Sequence, residues 1–236
     1  MSSSPALRIA GLTRHFGGLP ALDGIDLELA RGEVVALLGP NGSGKTTLIN
    51  VVSGIYRPTA GTVEVMGRNA TGATPQAMVK IGLNRTFQSP RPFRPLTVRE
   101  NVDVALRHGR ARDQSREEVL ELVGLAGKED RIADSLNSAE QKQLDLARAL
   151  ATGPDVLLVD EFAAGLRMEE LDWAGKLVRT LAAQGRALLV VEHLMGFVRQ
   201  VADRVVVLNA GKPIFAGSLE EAAHDTRVVE VFLGGG

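Results

Sequence analysis

The stretch Gly39-Pro40-Asn41-Gly42-Ser43-Gly44-Lys45-Thr46 fills every fixed position of the pattern G-x-x-x-x-G-K-[ST]. Before it, Val34–Leu38 is an unbroken apolar run, as expected of a strand buried on both faces of a parallel sheet. After it, Thr46, Thr47, Leu48 and Ile49 open a helical periodicity expected to reach Gly54. Strand, glycine-rich turn and helix in that order make a phosphate-binding loop. The glycines let backbone N–H groups close around phosphate oxygens, and the helix N-terminus adds positive potential. Gly39, Pro40, Asn41, Gly42, Ser43 and Gly44 would form the cradle, with Thr47 following on the helix. Lys45 would reach the β- and γ-phosphates, and the Thr46 hydroxyl would ligate Mg²⁺. The competing reading is a glycine-rich strand-to-helix turn with an incidental lysine; the complete motif in its expected context makes it much the weaker. A nucleoside triphosphate is the expected ligand.

Further strands are expected at 25–29, 62–65, 156–159, 187–191 and 205–208. In the first, Ile25, Leu27 and Leu29 alternate with Asp26, Glu28 and Ala30, the pattern of a strand wet on one face. The runs at 156–159 and 187–191 are apolar throughout, as in buried parallel strands. Helical periodicities lie between them, notably at 46–54, 116–123 and 139–151. Alternating strands and helices predict an α/β fold with a largely parallel sheet. Residues 89–153 carry helical stretches and proline-rich joints but no convincing buried strand, which predicts a helical subdomain inserted into a core of residues 1–88 and 154–236. The terminal Gly234–Gly236 is expected to fray.

A second chemical motif closes the run Val156–Val159 with two carboxylates, Asp160 and Glu161. Asp160, at the strand's C-terminal end, would hold Mg²⁺ through water beside the phosphate loop, and Glu161, pointing differently, would polarise the attacking water. An acidic pair after a strand can also open a helix; the upstream phosphate loop favours the catalytic reading.

Shortly before that strand stands Leu136-Asn137-Ser138-Ala139-Glu140-Gln141, in a segment that ends Ala147-Arg148-Ala149-Leu150. It resembles the signature of ATP-binding cassette (ABC) ATPases, usually L-S-G-G-Q before a helix ending A-R-A-L. The order of phosphate loop, Gln88, signature, Asp160-Glu161 and His193 is similar to that family along nearly the whole chain. The resemblance implies a P-loop NTPase (RecA-like) core, an antiparallel β portion and the inserted helical subdomain. It implies ATP and Mg²⁺ as ligands. It also implies that Phe16 stacks on adenine, the alternative being a core aromatic. Gln88 would touch Mg²⁺ and the attacking water, and His193 would contact the γ-phosphate, although a lone histidine after a strand is otherwise more often structural. Ala163-Ala164-Gly165-Leu166 would be the D-loop joining two active sites. The segments Gly11-Leu12-Thr13-Arg14-His15-Phe16-Gly17-Gly18-Leu19, Arg85-Thr86-Phe87-Gln88, Glu161-Phe162-Ala163-Ala164-Gly165-Leu166, Val191-Glu192-His193-Leu194-Met195 and Val229-Glu230-Val231-Phe232-Leu233-Gly234 look like those of branched-chain amino-acid uptake cassettes, and the lipopolysaccharide-export cassette has similar motifs.

The signature departs from the usual form. Asn137 stands in place of serine, Ala139 in place of the second glycine and Glu140 in place of glutamine. In this family one subunit's signature completes the other's phosphate site. An intact phosphate loop, Asp160, Glu161 and His193 beside an altered signature therefore predict a sound half-site on this chain and a weakened one where Asn137–Glu140 serves. Ser138 followed by Gln141 also fits a capping box at the start of the 139–151 helix. Phe162 occupies a position usually held by proline. The proline-rich segment 89–95 is a candidate groove for a membrane subunit, or else a stiff joint between subdomains.

Composition bounds the rest. The 236 residues are 44% hydrophobic and 23% charged, and there is no cysteine, which excludes thiol chemistry and thiolate metal sites. A net charge of −1 gives no global basic field for nucleic acid or anionic lipid. No apolar stretch approaches the roughly 20 residues of a membrane span, and the first residues show no secretory signal. The expected protein is a cytoplasmic ATPase on the inner face of a membrane, held there only through integral-membrane transporter subunits. It would pair with a second cassette, of the same or a different chain. Two alternatives remain open: a soluble assembly ATPase of the same family, and an ATP-gated interaction module with little hydrolysis.

Overall fold

The computed structural model describes residues 4–110 and 115–233; the expected fraying of Gly234–Gly236 lies outside them. The chain opens with β1 (Leu7–Phe16), β2 (Leu19–Leu29) and β3 (Val34–Leu38), after which the phosphate loop leads into α1 (Lys45–Val52). Next come β4 (Ala60–Val65), β5 (Arg68–Asn69), α2 (Pro75–Ile81) and β6 (Leu83–Arg85). Helices α3 (Val98–His108), α4 (Arg116–Leu122) and α5 (Ser138–Ala151) precede β7 (Val156–Asp160), α6 (Met168–Ala183) and β8 (Ala187–Val191). The chain continues through α7 (Met195–Val201), β9 (Arg204–Asn209), β10 (Lys212–Gly217), α8 (Leu219–His224) and α9 (Thr226–Leu233).

Six strands form one sheet in the order β10-β9-β3-β8-β7-β6. All of its pairings are parallel except that of β10 with β9. Each of β3, β7 and β8 is buried along its whole length, which is why their sequences are continuous apolar runs. The four-stranded sheet β2-β1-β4-β5 is antiparallel throughout. Its strand β2 alternates as expected, with Ile25, Leu27 and Leu29 buried and Asp26 and Glu28 exposed.

The pleat of β7 and β8 sorts their residues between two cores, and Ala36, Leu38, Val205 and Val207 of the same sheet join Val198 and Ala222 in a third. Leu157, Val159, Leu188 and Val190 face the helical side with Val102, Leu120, Leu144 and Leu181. Val156, Leu158, Leu189 and Val191 face the antiparallel sheet and α1, packing with Leu7, Leu22, Leu48 and Val63. At about 1.5–3 kcal/mol per fully buried large aliphatic side chain, these two layers fix the sheet's position relative to the loops at its carboxyl ends. Between β6 and β7 the described residues form helices and one isolated bridge, Thr97 with Ile132.

Candidate active site

β3 ends at Leu38, and the turn that follows needs glycine at two places. A Cβ on Gly39 would lie 2.2 Å from the Leu208 carbonyl oxygen and 2.7 Å from Ser43 Oγ. A Cβ on Gly44, where φ is 107°, would lie 2.8 Å from the Ala21 carbonyl oxygen. The loop is therefore pressed against β2 and the β9–β10 turn, and Gly211 N–H donates to the Ser43 carbonyl at 3.0 Å. Helix α1 starts with no side-chain cap, which leaves its first N–H groups for an anion. The Lys45 ammonium donates to the carbonyls of Gly39 at 2.7 Å and Pro40 at 2.9 Å. Burial lowers the Lys45 pKa against the opposing pull of Glu161 and Asp160.

The loop from Asn41 to Thr47 lines a cleft of about 500 Å³, with Gln88 and Glu161 facing it and Pro20, Ala21, Ala210 and Gly211 completing the wall. Gln88 Nε2 donates to Glu161 Oε2 at 2.6 Å, so two residues far apart in sequence meet at the phosphate end. An adjoining depression of about 310 Å³ shares Thr46 and Gln88 and adds Asn50, Arg85 and Asp160. Asp160 is buried; desolvation raises its pKa, opposed chiefly by Arg85. Of the residues lining that depression, the Thr46 hydroxyl, the Gln88 amide oxygen and the Asp160 carboxylate are the expected cation donors, beside Asn50, Ser89, Arg85 and Arg91. Among the described residues no group of three His, Cys, Asp or Glu could hold a metal by itself. Such a set fits Mg²⁺, a hard cation that keeps several waters and takes phosphate oxygens beside one or two carboxylates.

Glu161 itself has φ at 48°, in the left-handed region, and turns its side chain out of the register of β7. Its N–H donates to the Val191 carbonyl at 2.9 Å.

Other expected site residues lie apart from this cleft. Phe16 is 41% exposed and lines neither cavity, so it is no core aromatic. Its ring meets Tyr56 edge-on at 5.4 Å, and the Arg14 guanidinium lies 4.5 Å from its centroid. His193 is exposed just beyond β8 and lines neither cavity. Ala163 is buried, and its N–H donates to Glu192 Oε1 at 2.7 Å, while Gly165 is exposed. Phe162, in place of the usual proline, is buried against Trp173 with ring centroids 6.1 Å apart.

The signature segment requires a correction. The capping box is not Ser138 with Gln141. The cap is Asn137, whose side chain accepts from Glu140 N–H at 2.9 Å while Glu140 Oε2 accepts from Asn137 N–H at 2.9 Å. Helix α5 thus begins at Ser138, and Gln141 Nε2 donates to the Leu136 carbonyl instead. Glu140 is buried and paired with Lys128 at 3.0 Å and Arg131 at 2.9 Å, so its charge is offset within the chain. Burial alone would raise its pKa, but the Asn137 N–H, Lys128 and Arg131 outweigh that and lower it. Asn137 and Ser138 are exposed, and none of Asn137–Glu140 lines either cavity.

Three buried ionic residues near the site have partners that the sequence did not predict. Arg85 bonds Asp160. Lys142, on α5, donates to the carbonyls of Phe162 at 2.9 Å and Glu161 at 3.5 Å, and also to Ala164. Glu192 supports Ala163 from the other side. Only the apolar run around Asp160, which announces a buried strand end, hinted that its carboxylate needed a cation.

Comparison with known proteins places these features in context. Residues 22–164 match the protein family described as ABC transporter. The high-affinity branched-chain amino acid transport ATP-binding protein LivG of Salmonella typhimurium is 36% identical over 252 residues, covering 98% of this chain and 99% of LivG. The corresponding protein BraF of Pseudomonas aeruginosa is 35% identical, with the same coverage. Among solved structures, the ADP conformation of MJ1267, an ATP-binding cassette of an ABC transporter, superposes with a TM-score of 0.86 at 30% identity. That match covers 98% of this chain and all of the other.

Proposed function

The chain belongs to the ABC transporter family, as an ATP-hydrolysing subunit that energises transport, and on that premise we propose that it drives import of branched-chain amino acids or related small solutes. The observation that carries the catalytic reading is the meeting of Gln88 and Glu161, 2.6 Å apart, across the cleft from the phosphate loop. The loop N–H groups and the α1 N-terminus hold the triphosphate, and Lys45 exchanges its carbonyl partners for β- and γ-phosphate oxygens. Thr46 and Gln88, with Asp160 through water, would hold Mg²⁺, which would neutralise developing charge on the phosphates. Glu161 orients and polarises the attacking water, with Gln88 fixing the Glu161 side chain. On the family resemblance, His193 would contact the γ-phosphate and Phe16 would stack on adenine.

The second cassette follows from placement. The signature residues Asn137–Glu140 line neither of this chain's own cavities, which supports their serving a neighbour's nucleotide. No described helix is long and apolar enough to cross a membrane, which accords with attachment through partner subunits at the cytoplasmic face. The helical segment 89–153 and the core formed by 1–88 and 154–236 act as the two moving parts of the cassette. The closeness to LivG and BraF supports the substrate class.

The test is ATP turnover by the purified chain and by Glu161→Gln, alone and with a partner cassette and membrane subunits in vesicles. Glu161→Gln is expected to lower kcat by about 10²–10⁴-fold while nucleotide still binds, and vesicle uptake should favour leucine or isoleucine over a sugar. Turnover untouched by Glu161→Gln would sink the catalytic assignment. Uptake indifferent to branched-chain amino acids would sink the substrate class alone.

A further inference from the structure

Arg85 ends β6, three residues before Gln88, and its side chain is only 8% exposed. Every nitrogen of its guanidinium is engaged. Nε donates to the Thr86 carbonyl at 3.1 Å, and Nη1 donates to Asn50 Oδ1 at 2.6 Å and to Ser53 Oγ at 3.4 Å. Nη2 donates to Asp160 Oδ2 at 2.9 Å. One planar cation therefore ties together β6, the helix that carries the phosphate loop, and the strand that carries Asp160. Arg85 also lines the depression that Thr46, Gln88 and Asp160 share.

A buried ion pair can exist for the fold alone, but the arrangement here is one-sided. Arg85 takes Oδ2, while among the described residues Oδ1 has no hydrogen-bond partner. We propose that Arg85 is a positioning residue for cation-assisted nucleotide binding: it anchors Asp160 through Oδ2, leaves Oδ1 for Mg²⁺, and through Asn50 keys that carboxylate to the phosphate-loop helix. The inference rests on the assignment of Thr46 and Asp160 to Mg²⁺ made above. A fork of donors in fixed geometry is needed to serve three elements at once, and lysine supplies only a point charge. Outer-shell partners of this kind typically carry 10- to 100-fold in metal affinity.

The experiment measures binding of a fluorescent ATP analogue to the full chain, first in EDTA and then across a Mg²⁺ titration. Wild type is compared with Arg85→Met, Arg85→Lys, Asn50→Ala and Asp160→Asn, with thermal unfolding recorded for each. In EDTA the affinity of the Arg85 and Asn50 variants should stay within about 2-fold of wild type, because the phosphate-loop N–H groups are untouched; Asp160→Asn, which alters a site residue, serves only to remove the Mg²⁺-dependent increment. The Mg²⁺ concentration for half-saturation should rise about 10-fold or more in Arg85→Met and by less in Arg85→Lys and Asn50→Ala. In turnover at limiting Mg²⁺, kcat should fall with little change in the KM for ATP. If Arg85→Met does not fold, the two milder variants decide. Wild-type Mg²⁺ half-saturation in folded Arg85→Lys and Asn50→Ala would overturn the proposal while leaving the site assignment standing. A Mg²⁺-dependent increment that survives Asp160→Asn would overturn both.

Discussion

Glu161 is held in a backbone conformation that L-residues avoid, at φ 48°, on the residue assigned to water activation. Left-handed geometry costs an L-residue roughly 1–2 kcal/mol, and such strain persists only where surrounding contacts enforce it. Here the Val191 carbonyl accepts its N–H, and the Lys142 ammonium caps the carbonyls of Glu161, Phe162 and Ala164 from α5. Glycine adopts this φ freely but gives up about 0.5–1 kcal/mol through greater freedom in the unfolded chain. Glu161→Gly should therefore leave the protein about 0.5–1 kcal/mol more stable while abolishing hydrolysis, which urea unfolding and turnover together would check. Lys142→Met works in the opposite direction. It leaves buried carbonyls without their donor, at about 1–3 kcal/mol, and should depress kcat more than nucleotide affinity because the Glu161 turn loosens while the phosphate loop stays intact. Equal losses in stability and nucleotide affinity with kcat preserved would show that Lys142 serves only the fold.

Helix α5 shows how an altered motif is accommodated by an element. Its N-terminus is closed by Asn137 and Glu140 reciprocally, and Glu140 is neutralised by Lys128 and Arg131 from the preceding loop. Because the folded-state pKa of Glu140 lies below its ordinary value of 4.5, its ionised form is the one the fold favours. Its stabilisation is thus fully present above the unfolded pKa and is lost as pH falls through the lowered folded value. Glu140→Gln should cost stability at pH 7, by about 1 kcal/mol for a cap weakened in this way, and the difference from wild type should shrink below about pH 4.5. Denaturation curves from pH 7 to pH 3 would test this, and a difference independent of pH would refute it. The same helix marks the limit of what its sequence reveals. Asn137 with Glu140 and Ser138 with Gln141 are overlapping frames of one capping pattern, and only the cations at 128 and 131 choose between them. Strands β3, β7 and β8 were legible to within a residue, because strands buried on both faces must be apolar throughout. By contrast β1 was not, since register shifts after Ile9 and Leu12 break its alternation, and β6 is only three residues long. Among site residues, the phosphate loop, Gln88 and Glu161 each sit in a local motif. Arg85 does not announce itself, because its carboxylate partner lies 75 residues away.

For the whole molecule, the asymmetry is between phosphate-site residues that converge in this chain's cleft and signature residues that do not line it. The phosphate loop, Gln88, Asp160 and Glu161 converge within one chain, whereas Asn137–Glu140 would act on nucleotide held by a second cassette. The structure moderates the expected penalty of that signature, since the Glu140 charge is already offset and Asn137 keeps the helix capped. What remains altered is the donor presented to the neighbour's phosphate: the Asn137 Oδ1 accepts within the cap, and the donor is its Nδ2, carried on a longer side chain than the serine hydroxyl. Ala139 adds a methyl where a glycine would let backbone approach phosphate closely. Replacing both, Asn137→Ser with Ala139→Gly, should leave stability near wild type, because serine caps a helix about as well as asparagine while glycine near the N-terminus costs under about 1 kcal/mol. One improved hydrogen bond to the transferring phosphoryl group is worth about 0.5–1.5 kcal/mol, or roughly 2- to 10-fold in turnover. The gain should appear only in the assembled two-cassette complex. In a heteromeric assembly it should vanish when the partner's own water-activating carboxylate is neutralised, and it should survive Glu161→Gln on this chain, because the altered signature serves the partner's nucleotide. A gain lost with Glu161→Gln would instead mean that the signature serves a second copy of this chain, and turnover unchanged in every combination would mean that Asn137 and Ala139 already form a competent signature.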